Sequence, residues 1–274
     1  MSIAVLATVA VGLASGVLAG AFGIGGGLLT TPAITLLLGY PALIAVGTPL
    51  PVIVPGALTG ALSYHRRGLA DVRAGFLMAL VGTAGSVIGA LLTNYVGGAV
   101  VLLATAAVIA WASADMIRQH RSSAEPDPAV VGEAESDEAI AQASAPGTAR
   151  PRALTLSLIG AVAGLYSGFL GLGGGFVIVP SLMRWCGMPV KRAIGTSLVT
   201  IAFLAIPGTL THWYLGNIDW RLAALLAVGV VPGAVIGARL TSRVSDRSVR
   251  LAFAVMLGVI GVWLASSQLL GLRG

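Results

Sequence analysis

The chain has 274 residues, of which 57% are hydrophobic and 9% charged, and it carries a net charge of +6. A soluble domain holds about 25% charged residues, enough to clothe a surface that faces water. So few polar side chains exclude an ordinary soluble enzyme, a disordered chain and a nucleic-acid-binding domain. The basic balance points instead to membrane orientation and anionic lipid.

Residues 1–64 contain no Asp, Glu, Lys or Arg, and neither do 74–114, 153–183, 193–218, 222–238 and 251–272. Charge-free stretches of about 18 residues or more are read as membrane spans. The composition therefore predicts an all-α, polytopic membrane protein. A lone cysteine, Cys186, excludes an intrachain disulfide. The absence of Lys and Arg before residue 65 removes the positive region of a cleavable signal peptide.

The first hydrophobic piece spans 3–22 and enters a Gly-rich break, AFGIGGGLLTTP, at 21–32. The second piece, 28–38, is short. It rises about 16 Å at about 1.5 Å per residue, against a hydrocarbon core of about 30 Å. It is expected to be a re-entrant or broken helix. The third piece, 42–63, holds Gly47-Thr48-Pro49, and His65, Arg66 and Arg67 follow it. Asp71-x-Arg73 opens the fourth piece, 74–93, and a fifth covers 98–117.

Residues 118–152 differ in kind. Glu125, Asp127, Glu133, Glu135, Asp137 and Glu138 lie there among Pro, Ser, Ala and Gly. This composition predicts a disordered acidic linker. It divides the chain into a first membrane repeat, 1–117, and a second, 153–274.

From 153 the order of pieces returns: 153–170, 176–187, 193–215, 220–238 and 249–271. Matching residue i with i+148 makes 28 of the 74 pairs from Gly20 to Thr93 identical without a gap. Gly23, Gly25, Gly26 and Gly27 meet Gly171, Gly173, Gly174 and Gly175. Pro32 meets Pro180, Gly47-Thr48 meets Gly195-Thr196, and Asp71 and Arg73 meet Asp219 and Arg221. The rare residue types fall in register too, so the chain is read as a duplication.

Equivalent loops alternate in basic charge. Arg66, Arg67 and Arg73 flank one loop whose counterpart has only Arg221. Arg239, Arg243, Arg247 and Arg250 flank another whose counterpart has none. The positive-inside rule then makes the two repeats inverted, with a cytoplasmic linker and periplasmic termini.

Inverted repeats with interrupted helices are a transporter architecture whose sites lie near the midplane. Unwound glycine backbone bares N–H groups, and a helix starting beyond it points its positive end at the break. The candidate anion cradle is Gly23, Gly25, Gly26 and Gly27 with Gly171, Gly173, Gly174 and Gly175. Thr30, Thr31, Thr48, Thr196 and Ser197 are candidate hydroxyl donors. The competing roles are tight helix packing for glycine and bonds to helix carbonyls for the hydroxyls. Asp71, Arg73, Asp219, Arg221, His65 and His212 are candidate entrance or gating residues. Helix capping and interfacial anchoring are the alternatives for the Asp and Arg residues.

No acid lies deep in a hydrophobic segment, which argues against a carboxylate-based cation pathway. No metal cluster, cofactor motif, Gly-Lys-Ser/Thr loop or Ser/His/Asp grouping is expected, and no catalytic residue is assigned. Trp185, Trp213, Trp220, Tyr64, Tyr95 and Tyr214 near segment ends read as an aromatic belt.

GAFGIGGGLLTTPAI with ALIAVGTPL, and SGFLGLGGGFVIVPSL with AIGTSL, resemble the TauE/SafE family of sulfite exporters. The resemblance covers nearly the whole chain except the linker. It implies an inner-membrane carrier of sulfite or a C2–C3 organosulfonate, with a small anion and the bilayer as partners. Pro49 in place of Ser197, and Ile178 and Val179 opposite Thr30 and Thr31, depart from a symmetric ligand set. A channel-like pore or a carrier for another small solute, and a non-transporting membrane scaffold docking a partner through the linker, are the other readings. Deletion of 122–149 separates the scaffold from a transporter.

Overall fold

The computed structural model describes residues 3–96, 100, 104, 107 and 153–271. The fifth piece of the first repeat and the linker, with Trp111 and Asp115, lie essentially outside them, as does the side chain of Trp263. The described elements are α1 (Ile3–Phe22), α2 (Gly27–Leu36), α3 (Ala42–Gly47), α4 (Pro49–His65) and α5 (Val72–Val96). After the linker come α6 (Ala153–Leu170), α7 (Gly175–Cys186), α8 (Val190–Tyr214), α9 (Trp220–Ser242) and α10 (Asp246–Gly271). Among the described residues six helical stretches are long and apolar enough to cross a membrane: Val5–Phe22, Ala42–His65, Val72–Val96, Ala153–Leu170, Val190–Tyr214 and Trp220–Ser242. The protein is an all-α, polytopic membrane protein.

Glycine sets how these helices pack. Gly12, Gly16 and Gly20 of α1 face Leu226, Val230 and Ala234 of α9 in the same order, so the two run parallel. A Cβ on any of these three glycines would overlap the carbonyl oxygen opposite. Gly160, Gly164 and Gly168 of α6 face Met78, Gly82 and Ser86 of α5 in the same way. Small residues every fourth position let backbones meet where lipid provides no hydrophobic drive between helices. The first helix of each half thus packs on the fourth helix of the other half.

The third element differs between the halves. In the first half its hydrogen-bond ladder is interrupted at Thr48, which keeps helical torsions (φ −61°, ψ −35°). Pro49 has no N–H to continue the ladder. In the second half Ser197 stands at that position and α8 is unbroken over 25 residues. The short second pieces have 10 and 12 residues as α2 and α7. Ile34, near the end of α2, shares an apolar cluster with Leu222, Ala223 and Leu226 at the start of α9 and with Val11 of α1. The chain has therefore turned back toward the end of the bundle from which α1 came.

One end of the bundle gathers the basic residues. Arg192 at the start of α8 pairs with Asp71 before α5 at 3.5 Å. Lys191 pairs with Asp246 at the start of α10 at 3.2 Å. Arg67, after α4, donates to the Ala238 carbonyl near the end of α9 at 3.1 Å. The start of α9, with Asp219 and Arg221, lies at the other end.

Replacing Gly16 or Gly164 with Leu is expected to cost about 2–3 kcal/mol or to abolish folding, because the neighbouring backbone has no room to yield. Gly39→Ala meets nothing within 4 Å and is penalised only for its φ of +70°, by about 1 kcal/mol. Thermal unfolding of the purified variants in detergent checks the ranking.

Candidate functional site

Two helix breaks meet in the middle of the bundle. Gly26 (φ 84°) precedes α2 and Gly174 (φ 77°) precedes α7, each left-handed and without a side-chain cap. Glycine takes this conformation at no steric cost, whereas an L side chain is strained there. The breaks touch: a Cβ on Gly25 would lie 3.7 Å from the Gly173 Cα, and one on Gly175 would overlap the Gly23 carbonyl oxygen. Ile53, midway along the Ala42–His65 span, and Ile201, midway along α8, pack on both loops. Residues 23–27 and 171–175 are all buried.

Carbonyls and N–H groups fare differently at these breaks. Five of the carbonyls that close α1 and α6 or follow them are taken by side chains of the opposing helices. Tyr64 Oη donates to Gly20 O at 3.1 Å, and Thr241 Oγ1 to Ala21 O at 3.0 Å. Ser197 Oγ donates to Gly23 O at 2.8 Å. In the other half His212 Nε2 donates to Gly168 O at 2.9 Å, and Thr93 Oγ1 to Phe169 O at 2.9 Å. Among the described residues no backbone acceptor meets the N–H groups of Ile24, Gly25, Gly26, Gly27 and Leu28. The same holds for Leu172, Gly173, Gly174, Gly175 and Phe176. Buried backbone donors are nearly always paired, so such a run is unusual.

Three buried hydroxyls around the breaks also lack a partner: Ser15, Thr31 and Ser167. Ser15 lies on α1, and its carbonyl oxygen would be 3.5 Å from a Cβ on Gly26. Ser167 lies on α6 and its carbonyl accepts the Gly171 N–H at 3.0 Å. Sequence reading singled out Thr31 but missed the two serines. Their matches across the repeat are Ala163 and Ala19, so register pointed away from them.

The other expected hydroxyls are engaged. Thr30 Oγ1 donates to Gly26 O at 3.0 Å. Thr48 accepts the Asp219 N–H at 3.1 Å, and Thr196 accepts the Asp71 N–H at 2.9 Å. Each Gly-Thr pair thus holds the loop before the fourth helix of the other half. Gly47 permits this approach, since a Cβ there would overlap Asn217 O. Gly195 does the same against Leu69 O. The two aspartates cap their own helices, Asp71 accepting from Ala74 N and Asp219 from Leu222 N, both at 3.0 Å.

Arg73 and Arg221 are exposed, at opposite ends of the bundle. His65 is exposed and His212 fully buried. The structural counterpart of His212 is Tyr64, which contacts the equivalent carbonyl. A separate cavity of about 730 Å³ between α6 and α7 is lined mainly by Leu158, Ile159, Val162, Val177 and Trp185. Among the described residues its apolar wall presents no charged group and only the hydroxyls of Thr155, Tyr166 and Ser181.

Membrane-length helices around paired, buried helix breaks are the build of a multi-pass membrane transporter. More particularly, the family model described as Sulfite exporter TauE/SafE matches residues 8–264, and the chain belongs to that family. A relative from Xylella fastidiosa named "Probable membrane transporter protein" is 29% identical, covering 86% of this chain and 82% of its own length. The similarly named YunE of Bacillus subtilis is 25% identical, covering 92% of this chain and 94% of its own. MJ0441 of Methanocaldococcus jannaschii, also named as a membrane transporter, is 24% identical over 93% of this chain and 92% of its own. No solved structure matches the chain.

Thr48→Ala and Thr196→Ala each strand a backbone N–H and are expected to cost about 1–3 kcal/mol, with Thr→Ser milder. The two losses add, because the contacts lie at opposite ends of the bundle. Thermal unfolding of the single and double variants provides the test.

Proposed function

We propose that the protein carries a small oxyanion, sulfite or a C2–C3 organosulfonate, across a bacterial inner membrane by alternating access around the two Gly-rich breaks. The observation that carries this reading is the imbalance at the breaks. Side chains take five of their carbonyls, while among the described residues the N–H groups of 24–28 and 172–176 and the hydroxyls of Ser15, Thr31 and Ser167 have no partner. A site that offers donors and few acceptors favours an anion over a cation. The α2 and α7 N-termini add positive partial charge in a low-dielectric setting.

In this reading the halves are inverted repeats, consistent with parallel pairing of α1 with α9 and of α6 with α5. The basic end faces the cytoplasm with the linker 118–152, and the termini face the periplasm. Arg73 and Arg221 draw anions to the two entrances. Thr48 and Thr196, with Asp219 and Asp71, hold the entrance loops closed, and their release opens one side at a time.

The test is uptake of radiolabelled sulfite and sulfoacetate into proteoliposomes. Ser15→Ala and Ser167→Ala are expected to raise KM about five- to tenfold, one lost hydrogen bond each. They should leave thermal stability equal or higher, since an unpaired buried hydroxyl contributes nothing to the fold. Gly26→Ala, which has room but the wrong φ, should lose transport more fully. Uptake in the serine variants indistinguishable from wild type for both substrates would remove the site from the breaks.

A further inference from the structure

The two halves answer the same structural need with different chemistry. At the end of α1 a phenol, Tyr64, donates to Gly20 O, and at the end of α6 an imidazole, His212, contacts Gly168 O. A carbonyl can only accept, so His212 carries a proton on Nε2. Its other nitrogen, Nδ1, faces the Asn217 side-chain amide at 3.3 Å. That amide also donates to Asn94 Oδ1 at 3.0 Å. His212 is 0% and Asn217 5% exposed, whereas Asn94 is exposed. A polar chain therefore runs from the surface, through two amides, to a buried imidazole one turn before the second break.

We propose that His212 Nδ1 is a proton-binding site whose occupancy is coupled to the anion at the breaks, making the protein an anion–proton symporter. The inference rests on the anion site proposed above. The amide pair suits either state of the ring. As drawn, Asn217 Nδ2 donates to the Nδ1 lone pair. When a proton from water forms the Nδ1–H bond, rotating both amides by about 180° lets Asn217 Oδ1 accept from it and from Asn94 Nδ2. The bond that breaks is an O–H bond of hydronium, leaving water, and the proton returns to water on the exposed Asn94 side.

An imidazolium at this position needs a counter-charge, and the surrounding elements do not supply one. α6 and α1 hold no Asp, Glu, Lys or Arg. Arg73 of α5, His65 of α4, Arg184 of α7, Lys191 and Arg192 of α8, and Asp246, Arg247 and Arg250 of α10 are at the basic end. Asp219, on the same loop as Asn217, is committed to capping Leu222. Tyr95 and Tyr214 are exposed, and Tyr166 packs on Phe176. An anion in the neighbouring break adds a negative partner that no described residue places against the ring, so each ligand raises the affinity for the other. Tyr64 cannot take up a proton in this way, so one half alone carries the coupling.

Anion binding to wild type and His212→Gln in detergent, from pH 5 to 9, tests this. Sulfoacetate and sulfite are the probes, and a dye reads proton uptake in weak buffer. Sulfite itself titrates near neutral pH, so the readout is the difference between wild type and variant. Wild-type affinity is expected to fall about tenfold per pH unit above the proton midpoint, with one proton taken up per anion. His212→Gln should bind with no such excess uptake and a flat profile. Asn217→Asp, which places a carboxylate at Nδ1, should likewise lose uptake on anion addition near pH 7. Nitrogen-15 spectra of the imidazole in wild type should show Nδ1 gaining a proton when anion is added, whether or not the variants fold. Anion binding with Nδ1 unprotonated throughout, or with uptake unchanged in His212→Gln, overturns the coupling. Binding of neither anion overturns the anion site and the coupling with it.

Discussion

Backbone must approach backbone in this molecule without water to help. In a bilayer neither the hydrophobic effect nor solvent hydrogen bonds hold helices together, so close contact between helix surfaces does the work. Gly12, Gly16 and Gly20 lay α1 directly on α9, and Gly160, Gly164 and Gly168 lay α6 on α5. A methyl group at any of these points strikes a carbonyl oxygen. The pairing also joins the halves, because each helix finds its partner in the other half. Everything at the centre is positioned by these two contacts.

The same constraint explains why the breaks are tolerable. Ending a helix inside a low-dielectric region strands carbonyls at one side and N–H groups at the other. The fold meets five of the first set with Tyr64, Thr93, Ser197, His212 and Thr241, each reaching in from another helix. The second set is left as a cluster of donors, the feature on which the proposed anion site rests. Its cost is carried by the surrounding contacts, including the Thr48–Asp219 and Thr196–Asp71 clasps at the two ends.

Matching residues in the two halves have diverged in chemistry. Pro49 interrupts the hydrogen-bond ladder of the first half, while Ser197 leaves α8 whole and ties it to Gly23. Tyr64 and His212 meet equivalent carbonyls, one with a phenol and the other with an imidazole. Thr31 has a valine opposite it, and Ser15 and Ser167 have alanines. The scaffold is near-symmetric, and the donors it carries are not.

Helical class, the short second helices, the breaks and the family motifs were legible in the sequence because they depend on local physics. Hydrophobic length and glycine spacing act along the chain, and a 148-residue register makes them visible twice. The caps on α5 and α9 were equally readable, since Asp71 and Asp219 bond within their own first turns. What Thr48 and Thr196 hold was not readable, because their partners are 171 and 125 residues away. Ser15 and Ser167 carried no signal in the sequence, since alanines match them across the register. Only the packed bundle left them buried without a partner beside the breaks. His212 lined up with Tyr64 in the register, but only the structure gave that match a meaning. A hydroxyl or imidazole is defined by what it faces across the bundle, and that is decided when helices distant in sequence pack together.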